Sequence, residues 1–180
     1  DPARLKLLAT HADMQIRERA AKLLAAVPSG ERAEILAAYQ PALEMSGDIE
    51  RGKVVFQKTC AACHKLEGVG HEIAPNLATI QNRGAEAILL HVLDPNREVN
   101  PQFVNYVLVT DDGRTITGMI AAETATSVTL RRAEDQSDTV LRSQIEALES
   151  TRQSLMPEGM EKQIDPQAMA DLIAYLLSVK

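Results

Sequence analysis

Tryptophan is absent, phenylalanine occurs twice and tyrosine three times, so aromatics make up only 3% of the 180 residues. A small chain this poor in aromatics buries less apolar surface than usual. Long apolar runs are missing too. The longest are about a third to half of a membrane span, which excludes a transmembrane segment. Positive charge is in deficit: 19 Lys and Arg against 25 Asp and Glu leave a net charge of −6. That balance argues against nucleic acid or an anionic membrane as the main partner. No secretory signal is visible, and the chain opens with Asp1 rather than Met. It therefore reads as a processed product or a piece of something longer. The length suits one domain with an appendage, or two small ones.

Only two cysteines are present, and both stand in Cys60-Ala61-Ala62-Cys63-His64. This is the attachment signature of a c-type haem. Two thiols three positions apart lie on one face of a helical turn, where each can add to a vinyl group of one porphyrin. The histidine after the second thiol is then held beside the iron as its proximal ligand. The competing readings are a structural disulfide, half of a zinc site and a thioredoxin-like redox pair. Zinc would need two more ligands at matching spacing, and there is no second Cys/His cluster. A redox pair needs no histidine at this position. One covalent haem c is the cofactor implied, and its apolar slab would supplement a core thin in aromatics.

The pattern of the chain changes twice. Residues 1–46 read as a helical appendage. Ile16, Ala20, Leu23, Leu24 and Val27 recur at helical spacing up to the stop at Pro28-Ser29-Gly30, and a second helix runs through Ile35, Leu36 and Tyr39 to Pro41. Asp13–Ala21 resembles one helix of a HEAT-type repeat, so this segment is either the end of a helical array or a helical hairpin packed on the haem domain. The haem domain is expected over 47–180. Its first helix carries Gly52, Val55 and Phe56 into Cys60, with Phe56 expected against the last helix or as plain core. Gly68-Val69-Gly70 reads as a loop. A helix through Ile88, Leu89, Val92 and Leu93 ends before Asp94-Pro95. Asp165-Pro166 caps a last helix with the apolar stripe Met169, Leu172, Ile173, Leu176 and Leu177.

Between these helices lies a β insert at about 101–150. Phe103–Val109, Thr115–Ala121, Ser127–Arg132 and Thr139–Arg142 alternate or are β-branched, and Asp111-Asp112-Gly113 marks a hairpin. Four short strands predict a small sheet or partial barrel, faintly similar to Sm-like or SH3-like barrels. The fold class expected is thus a mainly α cytochrome c fold with an inserted β-sheet or barrel, an α+β arrangement, behind a helical appendage.

A second axial ligand is expected among six methionines. Met14 and Met45 precede the haem helix, Met119 is in a strand and Met169 is on a core stripe. Met156 and Met160 remain, and Met156 is preferred because Pro157 helps hold an extended ligand loop. A histidine or an open site is the alternative. His64 and Met156 are 92 positions apart (156 − 64), and omitting the 50 residues of 101–150 leaves 42, a reasonable span for a small cytochrome c. His71 reads as a surface residue in a nearby loop, and His91 as a polar helix position. Arg83 and Arg97 are either partners for haem propionates or solvated charges.

Taken in order, Gly52, Phe56, the Cys60–His64 motif, Ala74-Pro75-Asn76-Leu77, Leu93-Asp94-Pro95, Asp112-Gly113-Arg114, Gly118, Ser154–Met160 and Ala170–Leu176 resemble the planctomycete/verrucomicrobial-type haem-binding domain. This is a cytochrome c module often found at the C-terminus of large proteins, after a propeller-type dehydrogenase domain and helical repeats. Ala74 departs from the glycine the family carries before the proline. The resemblance implies one-electron transfer rather than catalysis, with His64 and Met156 on the iron and no catalytic residue. Pro75 would offer its carbonyl to the Nδ1 proton of His64. It also implies a periplasmic or otherwise exported protein, a fused or docked dehydrogenase as donor and a separate electron acceptor. The rival reading is a haem-based gas sensor or small peroxidase with an open or displaceable sixth position, although no distal acid–base pair beyond His71 is evident. A third is a structural module in which haem staples a small fold.

Overall fold

A computed structural model describes residues 10, 11, 13–25 and 30–179. Helix α1 spans Met14–Ala25, α2 Gly30–Tyr39, α3 Ile49–Thr59, α4 Gly84–Leu93 and α5 Pro166–Ser178. The stripe expected through Ala20, Leu23, Leu24 and Val27, and the stop at Pro28-Ser29, fall outside the described side chains and residues. Met14 and Ile16 on α1 are exposed.

Helices α3 and α5 pack together at the centre of the helical core. Asp48 caps α3 by accepting from the Arg51 N–H at 2.8 Å. Asp165 caps α5 from the Ala168 N–H, with Pro166 in the first turn, where its missing donor costs nothing. Gly52 lets the two backbones touch: a Cβ there would sit 1.9 Å from Asp171 O and 2.8 Å from Tyr175 Cβ. One turn on, Phe56 is fully buried, with its ring centroid 5.8 Å from that of Tyr175 at a tilt of 56°. Phe56 thus packs on the last helix. Leu89 and Leu93 of α4, together with Leu172 and Leu176 of α5, complete the same core.

The β segment has its own core. Strands β3 (Val104–Thr110), β4 (Thr115–Glu123), β5 (Ser127–Arg131), β6 (Ser137–Leu141) and β7 (Ile145–Ser154) form one antiparallel sheet in the order β6-β5-β4-β3-β7. Leu108, Ile116, Val128, Leu130 and Val140 bury one face, separately from the helical core. Among the described residues β6 and β7 are the two edges, so the sheet is open and no closed barrel forms. There are five strands where four were expected. The overlooked β7 runs to Ser154, past the expected boundary at 150. Glu146, Glu149, Arg152 and Gln153 make it polar, as an edge strand tolerates. Gly68 is also not in a plain loop: β1 (Lys65–Leu66) and β2 (Val69–Gly70) pair across it.

The insert departs from the helical domain and returns at one place. Val104 pairs with Ser154, and the Leu155 N–H donates to Phe103 O at 3.0 Å. The 51 residues 104–154 therefore separate Phe103 from Leu155 in sequence but not in space.

Candidate functional site

The attachment turn follows directly from α3. The Cys60 N–H still bonds Phe56 O at 2.8 Å, and the His64 N–H closes on Cys60 O at 2.9 Å. The following loop is strapped onto this turn. His71 N–H reaches Ala61 O at 3.0 Å, while Ile73 and Ala74 N–H both reach Cys63 O, at 3.1 and 2.9 Å. Gly70 adopts φ +92°, and a Cβ there would meet His64 O at 2.2 Å, so the hairpin closes only around a residue without a side chain.

These straps deliver Pro75 to the ring of His64. The Pro75 carbonyl lies 2.9 Å from Nδ1. A carbonyl only accepts, so Nδ1 carries the proton and Nε2 keeps its lone pair. Burial lowers the pKa of His64, opposed by the bond to Pro75. The ring is therefore held in the neutral form that binds metals. Cys60 and Cys63 are unpaired and half-buried. Burial raises both thiol pKa values, and for Cys60 the nearby Thr59 hydroxyl counteracts part of the effect.

Half-buried apolar side chains share the helical core with Cys60. Val55, Leu77, Ala78, Ile80 and Met156 pack on the helical core alongside Cys60 while keeping part of their surface open. Partly open apolar surface of this kind is what a flat apolar group would cover. Among the described residues no three His, Cys, Asp or Glu converge to hold a metal ion.

The methionines separate by burial. Met160 is 5% exposed and Met169 fully buried in the helical core, Met119 is buried in the sheet, and Met45 is exposed. Met156 is half-buried at the core's edge. Its N–H donates to Ser154 Oγ at 3.1 Å.

Other sequence candidates sit elsewhere. His71 Nδ1 lies 2.9 Å from Asp135 Oδ2 in the β5–β6 turn, and the Glu134 N–H donates to Ala62 O at 2.9 Å. The insert thus touches the attachment turn itself. Arg83 Nη1 is 3.4 Å from His91 Nε2. Arg97 lines a groove of about 440 Å³ with Leu36, Gln40, Glu86 and Leu89, and no attachment-turn residue borders it. Sequence reasoning missed Arg32, Asn96 and Asp171. Asp171 carried a signal, being a lone carboxylate beside the apolar stripe of α5. Arg32 and Asn96 carried none.

Residues 49–108 match the family model for cytochrome c. This segment is similar to cytochrome c domains. The cofactor it implies is haem c, held covalently, and Cys60 and Cys63 have the required spacing. A cytochrome c-553-like protein of Synechocystis sp. is 34% identical over 62 residues, 34% of this chain and 58% of that protein. The chain thus spans little more than half the length of that relative. The family match stops at 108, inside β3. The sheet interrupts the helical pattern there, and Met156 and α5 lie on its far side.

Among the described residues no helix is long and apolar enough to cross a membrane.

Proposed function

We propose that this chain is a monohaem c-type electron-transfer module of the planctomycete/verrucomicrobial type, with residues 1–46 as a helical appendage and 47–180 as the haem domain. Cys60 and Cys63 hold the porphyrin through thioethers, His64 is the proximal ligand and Met156 the distal one. The observation that carries this reading is the bond from His64 Nδ1 to the Pro75 carbonyl, directly after two unpaired thiols. It orients the ring, fixes the tautomer and raises the basicity of the free nitrogen.

The bound haem supplies a ferrous–ferric couple, with no bond made or broken in the substrate. The chain's own residues do the rest. His64 would hold the iron through its free Nε2, and the half-buried apolar residues Val55, Leu77 and Ile80 would limit water around the group. Bound to the iron, the Met156 thioether would favour the reduced state and raise the potential. The module is an electron carrier, with redox proteins as partners: a fused or docked dehydrogenase as donor and a separate acceptor. Its place is the periplasm or another exported compartment, where haem attachment of this kind occurs.

The test is the exported holoprotein. Its haem should stay with the polypeptide in acid–acetone, and the pyridine haemochrome should report two saturated vinyls. The ferric protein should show a methionine–iron charge-transfer band. Extractable haem would overturn the attachment. Ready CO binding without that band would favour the sensor reading.

A further inference from the structure

We propose that Arg32 and Asn96 are positioning residues for the Met156 loop, so that helix α2 of the N-terminal appendage sets how firmly the distal ligand is held. This rests on the assignment of Met156 as that ligand.

Asn96 holds the loop on both sides of the methionine. Its Oδ1 accepts from the Ser154 N–H at 2.8 Å, and its Nδ2 donates to Glu158 Oε1 at 2.6 Å. These contacts lie two residues before and two residues after Met156. A single side chain thus brackets the ligand position.

Arg32 secures the same loop from α2. Its Nε lies 3.6 Å from Glu158 Oε2 and its Nη1 3.0 Å from Glu161 Oε2, while Nη1 also donates to Leu93 O at 3.2 Å. The Arg32 and Glu161 side chains are only 17% and 14% exposed, so this pair is far less screened than a surface ion pair. Tyr39, at the end of α2, adds bonds from its hydroxyl to Glu161 O at 3.0 Å and Ile164 O at 2.7 Å. The appendage therefore grips the segment after the methionine while Asn96 grips the segment around it. A guanidinium serves three acceptors at once, which a lysine ammonium does not reproduce in the same plane.

The chemical consequence follows from the ligand. A neutral thioether competes poorly with external ligands unless the chain keeps it in place, so its effective concentration at the metal is a property of the loop. Loosening the loop lowers that concentration without altering the sulfur.

The test uses exported holoprotein carrying Arg32→Ala, Arg32→Lys or Asn96→Ala. Imidazole is titrated into the ferric protein, and the charge-transfer band and midpoint potential are recorded. Removing charge-assisted contacts of this kind should raise apparent imidazole affinity about tenfold in both alanine variants and weaken the band. Lysine at position 32 should restore part of it. Hydrogen exchange in 154–161 should quicken in the alanine variants while exchange in β3–β6 stays unchanged. Arg142→Ala, which removes an ion pair with Glu123 within the sheet, is the control and should change none of these readouts. Should Asn96→Ala fail to fold, the two Arg32 variants decide the matter. Unaltered imidazole affinity in Arg32→Ala overturns the proposal, provided Met156→Ala abolishes the band. If Met156→Ala leaves the band in place, the ligand assignment itself has failed.

Discussion

Arg51 of α3 grips Asp171 of α5 with two prongs, Nε to Oδ2 at 2.7 Å and Nη2 to Oδ1 at 2.9 Å. Asp171 also accepts from the Asp48 N–H at 2.8 Å and from Gln167 Nε2 at 3.1 Å. One carboxylate thus ties the start of α3 to the middle of the last helix, beside the place where Gly52 lets the two backbones touch.

This contact predicts an acid limb in stability. The bonds from Arg51, more than from the other donors, lower the Asp171 pKa to about 2 against the cost of burial. A folded pKa below the unfolded one means that the stabilisation is complete above about pH 4 to 5 and disappears as pH falls toward 2. Its size is on the order of 1–2 kcal/mol, tempered by solvent at the exposed Arg51. Asp171→Asn should lower the melting temperature at pH 7 and flatten stability between pH 5 and about pH 2. An unchanged acid limb in denaturant titrations would count against this account.

The helix crossing predicts a steric effect. At Gly52→Ala the new Cβ would overlap Asp171 O, at 1.9 Å. Neither backbone can yield cheaply, so the cost should be about 3 kcal/mol or more. Thermal unfolding of the holoprotein checks it, and a loss under about 1 kcal/mol would mean that the helices slide apart easily.

Burial separates the two methionines of the 154–160 loop. Met156→Ala should remove the methionine–iron band, lower the midpoint potential and open the iron to CO. Met160→Ala should leave the band intact while lowering stability by about 2–4 kcal/mol, because Met160 is a core side chain. Spectra and melts of both variants separate these effects, and the reverse pattern would make Met160 the ligand.

At the turn between β5 and β6, Glu134 and Asp135 both take positive φ, 59° and 56°. Glu134→Gly should be neutral or stabilising by up to about 1 kcal/mol, since glycine relieves the strain and keeps the N–H on Ala62 O. Glu134→Pro removes that donor and imposes φ near −65°. It should detach the turn from the attachment loop, seen as faster proteolysis at 133–136. Equal protection in both variants would show that the backbone contact does not hold the turn.

Local chemistry made much of this protein legible from sequence. The Cys60–His64 spacing, the Asp165-Pro166 cap, the apolar stripe of α5 and the alternation through β3–β5 are set by neighbours a few residues apart, and periodicity reports those directly. Strand β7 escaped because its partner is β3, and an edge strand with Glu146, Glu149 and Arg152 carries no apolar alternation. Tertiary structure decided the rest. It brought Phe103 to Leu155 across the insert, buried Met160 while leaving Met156 at the rim, and set Arg32 against Glu161. These relationships join polar or flexible groups far apart in sequence. Their free energy exists only once the chain has folded, so no local pattern announces them.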